Sequence, residues 1–173
     1  RGRDIKHEDI GIIASEVGLL FQDPASQLLC ATVREELAFG PENLGVPPEK
    51  ILEDMREILK LVRLEGYEKR NPHTLSGGEQ QACALASIMM MHPKIYVLDE
   101  PTSNLDPIGS YQVFQIIKEL VRREKKTVVI VEHKLEELMD LVDRIVVLNE
   151  GTIVLEGRPR DIINNIDMLE EMG

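Results

Sequence analysis

The sequence predicts an α/β domain built around a mostly parallel sheet, and three observations carry that prediction. "KIYVLDE", ending at Glu100, and "TVVIVEH", ending at His133, are continuous apolar runs of the kind that lie buried in parallel sheets. "EVGLLFQDP", from Glu16 to Pro24, is a shorter apolar run stopped by polar residues and proline. From Pro93 onward, strands alternate with helical patterns, which is the order that builds a parallel sheet with helices laid on it.

Taken in order, the first strand leads into a mainly helical stretch. Thr32 and Glu35 form a T-x-x-E capping box, and Gly40 is expected to end the helix that they start. A second helix is expected from Pro48, with Ile51, Leu52, Met55, Ile58, Leu59 and Val62 on one face. Ser76 and Glu79 make another capping box, opening an apolar helix that runs to about Met91. Asp106 can cap a helix with Pro107 at its first position and Val113, Phe114, Ile117, Leu120 and Val121 as its buried stripe. A short helix is expected from Lys134 to about Val142. "RIVVLNEGTIVLEG" then reads as a hairpin turning at Asn149, Glu150 and Gly151. The expected organisation is an α/β core of residues 1–22 and 75–158, a helical subdomain of residues 23–74 and a tail of residues 159–173.

Composition narrows the function. The 173 residues suffice for one domain with a substantial core, and 43% hydrophobic with 29% charged residues argues against a disordered chain. With no Trp, three Phe and three Tyr, that core must be aliphatic. A formal charge of −11 argues against a nucleic-acid partner, whose phosphates call for clustered Lys and Arg. Cys30 and Cys83 are too few for a disulfide framework and lack metal-ligand spacing, which points to a reducing compartment. No apolar run has the roughly 18 to 20 residues that a membrane-spanning helix needs.

Ligands of open parallel sheets sit at the carboxyl ends of the strands. Here those ends carry Gln22, then Asp99 and Glu100, then Glu132 and His133. A strand-end carboxylate can hold Mg²⁺, and a neighbouring one left free can act as general base on a water. Gly77 and Gly78 stand in the first turn of a helix, where each glycine costs roughly 1 kcal/mol relative to alanine. A helix amino end with bare N–H groups suits a phosphate, and close approach of another group would account for the glycines. Each feature has an ordinary explanation too. Acidic strand ends are common, a lone histidine after a strand is usually just solvated, and a capping box alone accounts for Ser76 and Glu79.

Together these stretches resemble the motifs of the ATP-binding-cassette ATPases. "LSGGEQQ" is similar to their signature, "IYVLDEP" to the Walker B strand, "SNLD" to the D-loop, "LLFQDP" to the Q-loop and "VIVEH" to the switch-histidine strand. The motifs occur in the family's order over nearly the whole chain. "FQDPASQLLCATVREELAFGPENLG" further resembles the energy-coupling-factor and cobalt-type importers. The resemblance implies a P-loop NTPase core with a helical subdomain, ATP and Mg²⁺ as ligands, and ATP hydrolysis that powers transport. It implies that Asp99 and Gln22 serve the metal, that Glu100 activates water and that His133 touches the γ-phosphate. Ser76, Gly77 and Gly78 would bind the γ-phosphate of ATP held mainly by a second ATPase subunit, and Asp106 would organise the contact between the two. The implied partners are that second subunit, identical or not, and a transmembrane transporter subunit, with the protein peripheral on the cytoplasmic face of the membrane.

The chain departs from the family pattern in two places. No G-x-x-x-x-G-K-S/T phosphate loop occurs in it, so this loop and its strand are expected to precede Arg1, and these 173 residues are expected to be inactive by themselves. Ala82 stands where members commonly carry Arg. Two other readings compete. One is a degenerate or truncated cassette that binds a partner without turnover. The other is a DNA-maintenance ATPase head, opposed by the acidic charge and by the lack of sustained heptads between Gln22 and Ser76.

Overall fold

The computed structural model describes residues 4–103, 105–122, 124–133 and 138–164. Arg1–His133 form one compact unit and Lys134–Gly173 a second.

In the first unit, β1 (Val17–Leu20), β2 (Ile95–Asp99) and β3 (Thr127–Val131) make a three-stranded parallel sheet in the order β1-β2-β3. Helix α1 (Ile10–Glu16) leads into β1. Helices α2 (Val33–Asn43) and α3 (Pro48–Leu61) follow, then α4 (Gly77–Met89) before β2 and α5 (Pro107–Arg122) before β3. Alternation along the strands puts Leu20, Tyr96 and Leu98 in the core, all essentially buried. The opposite set stays open, with Leu19 43%, Val129 52% and Val131 51% exposed. Helix α4 lies on the buried face so closely that a Cβ on Gly18 of β1 would fall 2.1 Å from Ile88 Cγ2.

Both capping boxes form. Thr32 Oγ1 accepts from Glu35 N at 3.2 Å, and Glu35 Oε2 accepts from Thr32 N at 3.0 Å. Helix α3 buries Ile51, Met55, Ile58 and Leu59, with Val62 just beyond its end, while Leu52 lies at the margin of that stripe. Asp106 Oδ1 accepts from Gly109 N at 2.7 Å at the start of α5, whose expected stripe is buried apart from half-exposed Val121.

Gly40 does not end α2. The helix continues through Pro41 to Asn43, and the residue that leaves it left-handed is Gly45, with φ 71°. Gly40 serves packing instead: a Cβ there would lie 2.4 Å from Met91 Sδ.

In the second unit, β4 (Ile145–Asn149) and β5 (Thr152–Gly157) pair antiparallel, followed by α6 (Pro159–Ile163). Glu150 and Gly151 both have positive φ, 47° and 75°, as a tight hairpin turn of right-twisted strands requires. The beginning of the helix expected from Lys134 and most of the tail lie outside the described residues.

Candidate functional site

The parallel register lines up the strand ends. Leu20 pairs with Leu98 and Leu98 with Ile130, so the residues just beyond them leave the sheet along one edge. There Gln22 Nε2 donates to Glu100 Oε2 at 2.7 Å, and His133 Nε2 lies 2.9 Å from Glu100 Oε1. Each oxygen of the Glu100 carboxylate is therefore engaged by a neighbouring strand. The carboxylate is largely sheltered, with 20% of its side chain exposed against 82% for His133.

Glu100 adopts a left-handed backbone, φ 43°, a conformation that few non-glycine residues take. Two bonds hold it there. Glu100 N donates to Val131 O at 2.9 Å, and Ser103 N donates to Glu100 O at 3.0 Å. Thr102, fully buried, donates from Oγ1 to Glu132 Oε1 and ties the same turn to the end of β3. Strain of this kind persists only where the surroundings over-determine it, and here it presents the carboxylate between two strand ends. Sequence reasoning missed Thr102, because a threonine after a strand carries no signal until its partner is known.

Asp99, on the last position of β2, is exposed, and its carboxylate takes no hydrogen bond among the described residues. Since Gln22 spends its amide nitrogen on Glu100, its Oε1 remains an acceptor. No group of three or more His, Cys, Asp and Glu gathers as a cage among the described residues. One carboxylate and one amide oxygen nevertheless suit Mg²⁺, which takes few protein ligands where phosphates and water complete its shell.

The other expected residues form a second cluster. Ser76 N and Ser76 Oγ both donate to Glu79 Oε2 at 2.8 Å, and Glu79 N reaches back to Ser76 Oγ at 3.4 Å. These bonds, that from the Ser76 backbone foremost, hold the Glu79 carboxyl below its usual range. The two glycines have different reasons to be there. A Cβ on Gly78 would lie 3.1 Å from Gly109 Cα, so the amino ends of α4 and α5 touch through bare backbone. Gly77 is exposed, and a Cβ there would meet only Leu105 Cδ2 at 3.6 Å, an ordinary contact. Packing within the chain thus explains Gly78 and leaves Gly77 unexplained. The room at Gly77, with its N–H at a helix amino end, fits a phosphate. Asp106 joins this cluster by capping α5, while Asn104 of "SNLD" lies outside the described residues. No hydrogen bond joins this cluster to Gln22, Glu100 or His133 among the described residues.

Ala82 is 2% exposed within α4. Beside it, Gln81 is 1% exposed, and its Nε2 has no partner among the described residues.

Comparison with known proteins bears on the family and the fold. The family described as ABC transporter matches residues 1–103. The chain is 43% identical over 171 residues to the energy-coupling factor transporter ATP-binding protein EcfA1 of Caldanaerobacter subterraneus, covering 99% of the chain and 61% of that relative. It is 45% identical over 172 residues to a putative ABC transporter ATP-binding protein of Pyrococcus horikoshii, with the same coverage. A longer relative from Caldanaerobacter, again a putative ABC transporter ATP-binding protein, is 44% identical, and the chain spans 30% of its length. The chain therefore spans between about a third and three fifths of these relatives. Among solved structures, cbiO1 of Clostridium perfringens, part of the ABC transporter complex cbiONQ, superposes with a TM-score of 0.84 at 28% identity, over 97% of this chain and 67% of that one. A dimeric ATP-binding cassette in a post-hydrolysis state bound to ADP and Pi superposes with a TM-score of 0.74 at 28% identity, over 87% and 66%. The fold is that of the ABC ATPases within the P-loop NTPases, and the chain belongs to the ABC transporter family.

Proposed function

We propose that the protein containing this chain binds and hydrolyses ATP and thereby drives a transporter through a transmembrane partner on the cytoplasmic side. The observation that carries the reading is the Glu100 carboxylate bridged by Gln22 and His133 at the ends of three parallel strands. In this reading Glu100 takes a proton from the attacking water, and the imidazole of His133 hydrogen-bonds the γ-phosphate. Asp99 and Gln22 Oε1 would hold Mg²⁺, whose charge offsets that of the phosphates. Gln22 and His133 each engage one oxygen of the Glu100 carboxylate, which has about four lone-pair sites, so a water can still donate to it while both neighbours hold it in place. Phosphoryl transfer depends mainly on positioning and charge stabilisation, which such a carboxylate and imidazole supply.

The second cluster, Ser76, Gly77, Gly78 and Asp106, serves ATP held mainly by a second ATPase subunit, identical or different. Among the described residues no hydrogen bond ties this cluster to Gln22, Glu100 or His133, which supports that division of labour. Exposed Leu29 and Phe39, 76% and 54%, lie on the helical stretch after Gln22 and offer the transmembrane partner an apolar foothold. The edge of β3 away from β2 accommodates the strand that leads into a phosphate loop.

The test is ATP binding and hydrolysis by the full-length protein. Binding with turnover supports the reading, whereas binding without turnover supports a regulatory cassette. No binding at all overturns both.

A further inference from the structure

The segment after β1 contains a side chain that behaves as a piece of β-sheet. Gln27 Nε2 donates to Leu19 O at 3.0 Å, while Phe21 N donates to Gln27 Oε1 at 3.1 Å. In a parallel ladder, one residue of a neighbouring strand donates to the carbonyl before a given residue and accepts from the N–H after it. The Gln27 amide does the same around Leu20 with a single planar group. It therefore occupies the place of one residue of a further strand, on the edge of β1 away from β2.

We infer that Gln27 is the positioning residue for Gln22. This rests on the reading of Gln22 and Glu100 given under Proposed function. Gln22 directly follows Phe21, whose N–H the amide holds, and its own side chain reaches Glu100 at 2.7 Å. Beyond it the chain is fixed again. Asp23 Oδ1 accepts from Ala25 N at 3.1 Å, and Gln27 N donates to Pro24 O at 3.1 Å, forming one tight turn. Leu28 is 2% exposed, and buried Glu36 accepts from Leu29 N and Cys30 N through Oε2, each at 2.8 Å. Gln22 thus stands on a short arch with both feet fastened, and the Gln27 amide is the fastening on the sheet side. Without it, β1 would fray past Leu20, and Gln22 would lose its fixed distance to the carboxylate.

The experiment compares Gln27→Ala, Gln22→Ala and the double variant in the full-length protein, with Gln27→Glu as a milder change that keeps the acceptor and loses the donor. Two readouts are used: amide hydrogen exchange at Phe21, and kcat and KM for ATP. Gln27→Ala is expected to speed exchange at Phe21 by about tenfold or more. It is expected to lower kcat by about the same factor as Gln22→Ala, with KM within about twofold. In the Gln22→Ala background it should lower kcat no further, because residues that act through one another are not additive. Unchanged exchange at Phe21, or a double variant whose loss is the product of the single losses, overturns the proposal. If Gln27→Ala does not fold, Gln27→Glu is read in the same two ways. Should the wild-type protein show no hydrolysis, the functional reading fails, and the exchange readout still decides whether Gln27 fastens the end of β1.

Discussion

Glu100 Oε1 and His133 Nε2 lie 2.9 Å apart across the ends of adjacent strands, although 33 residues separate them in the chain. The helix between those strands returns the chain so that both ends fall on one edge. This makes Glu100 accountable to two strands at once. Replacing it with Gln removes the carboxylate assigned to take the proton, while keeping nearly the same shape. Glu100→Gln is expected to lower ATP turnover by roughly 10²- to 10⁴-fold, the usual worth of a general base, with ATP still bound. Turnover near wild type would refute the assignment.

The glycine pair offers a cleaner separation of folding from function. Gly78→Ala places a methyl group 3.1 Å from the Gly109 backbone, which cannot swing aside. The amino ends of α4 and α5 must part, at a cost of about 1–3 kcal/mol in denaturant unfolding. Gly77→Ala meets only ordinary contact, and stability should stay level or rise by up to about 1 kcal/mol. If Gly77 faces a phosphate, that same variant should nonetheless lose ATP-driven turnover. Full activity in Gly77→Ala would remove the phosphate from this helix end.

How much of this was legible in the sequence depends on the range of the interaction. Capping boxes at Thr32 and Ser76, and the turn at Glu150 and Gly151, are local rules and read directly. So did the strand ends, because continuous apolar runs stop where the polar residues begin. Gly40 and Gly78 were visible as glycines, but their reasons are Met91 and Gly109, distant in sequence and adjacent only after folding. Thr102 and Gln27 were silent for the same cause. A polar side chain that bonds to another strand's carboxylate, or to backbone several residues away, leaves no periodic mark.

Among the described residues β3 pairs only with β2, and Val129 and Val131 stand half exposed on its open face. An apolar strand with a free edge is a template for self-association. The 173-residue chain expressed by itself is expected to form concentration-dependent oligomers in sedimentation. Val129→Lys or Val131→Lys should shift it toward monomer. A chain that is monomeric without those changes would show that the face needs no cover.

Asp54 of α3 gives the structure a pH-dependent clip. It is 7% exposed, with Lys50 Nζ 2.8 Å from Oδ1 and His92 Nε2 2.9 Å from Oδ2, so it joins α3 to the turn after α4. Burial by itself would raise its pKa, but the hydrogen bonds from Lys50 and His92 outweigh it and hold the carboxyl below its ordinary 3.8. A carboxyl depressed by folding contributes stability that is fully present above its unfolded value and is lost as pH falls through the lower folded value. Asp54→Asn is therefore expected to cost about 1–3 kcal/mol at pH 7, since it leaves both donors poorly matched. As pH falls below the ordinary 3.8 the unfolded chain takes up this proton before the folded one does, and the gap between the two proteins should narrow. Denaturant midpoints measured from pH 7 down to pH 3 check this directly. A gap that stays constant across that range would mean that the ionised carboxylate contributes nothing, and that α3 is held to the turn by its apolar stripe alone.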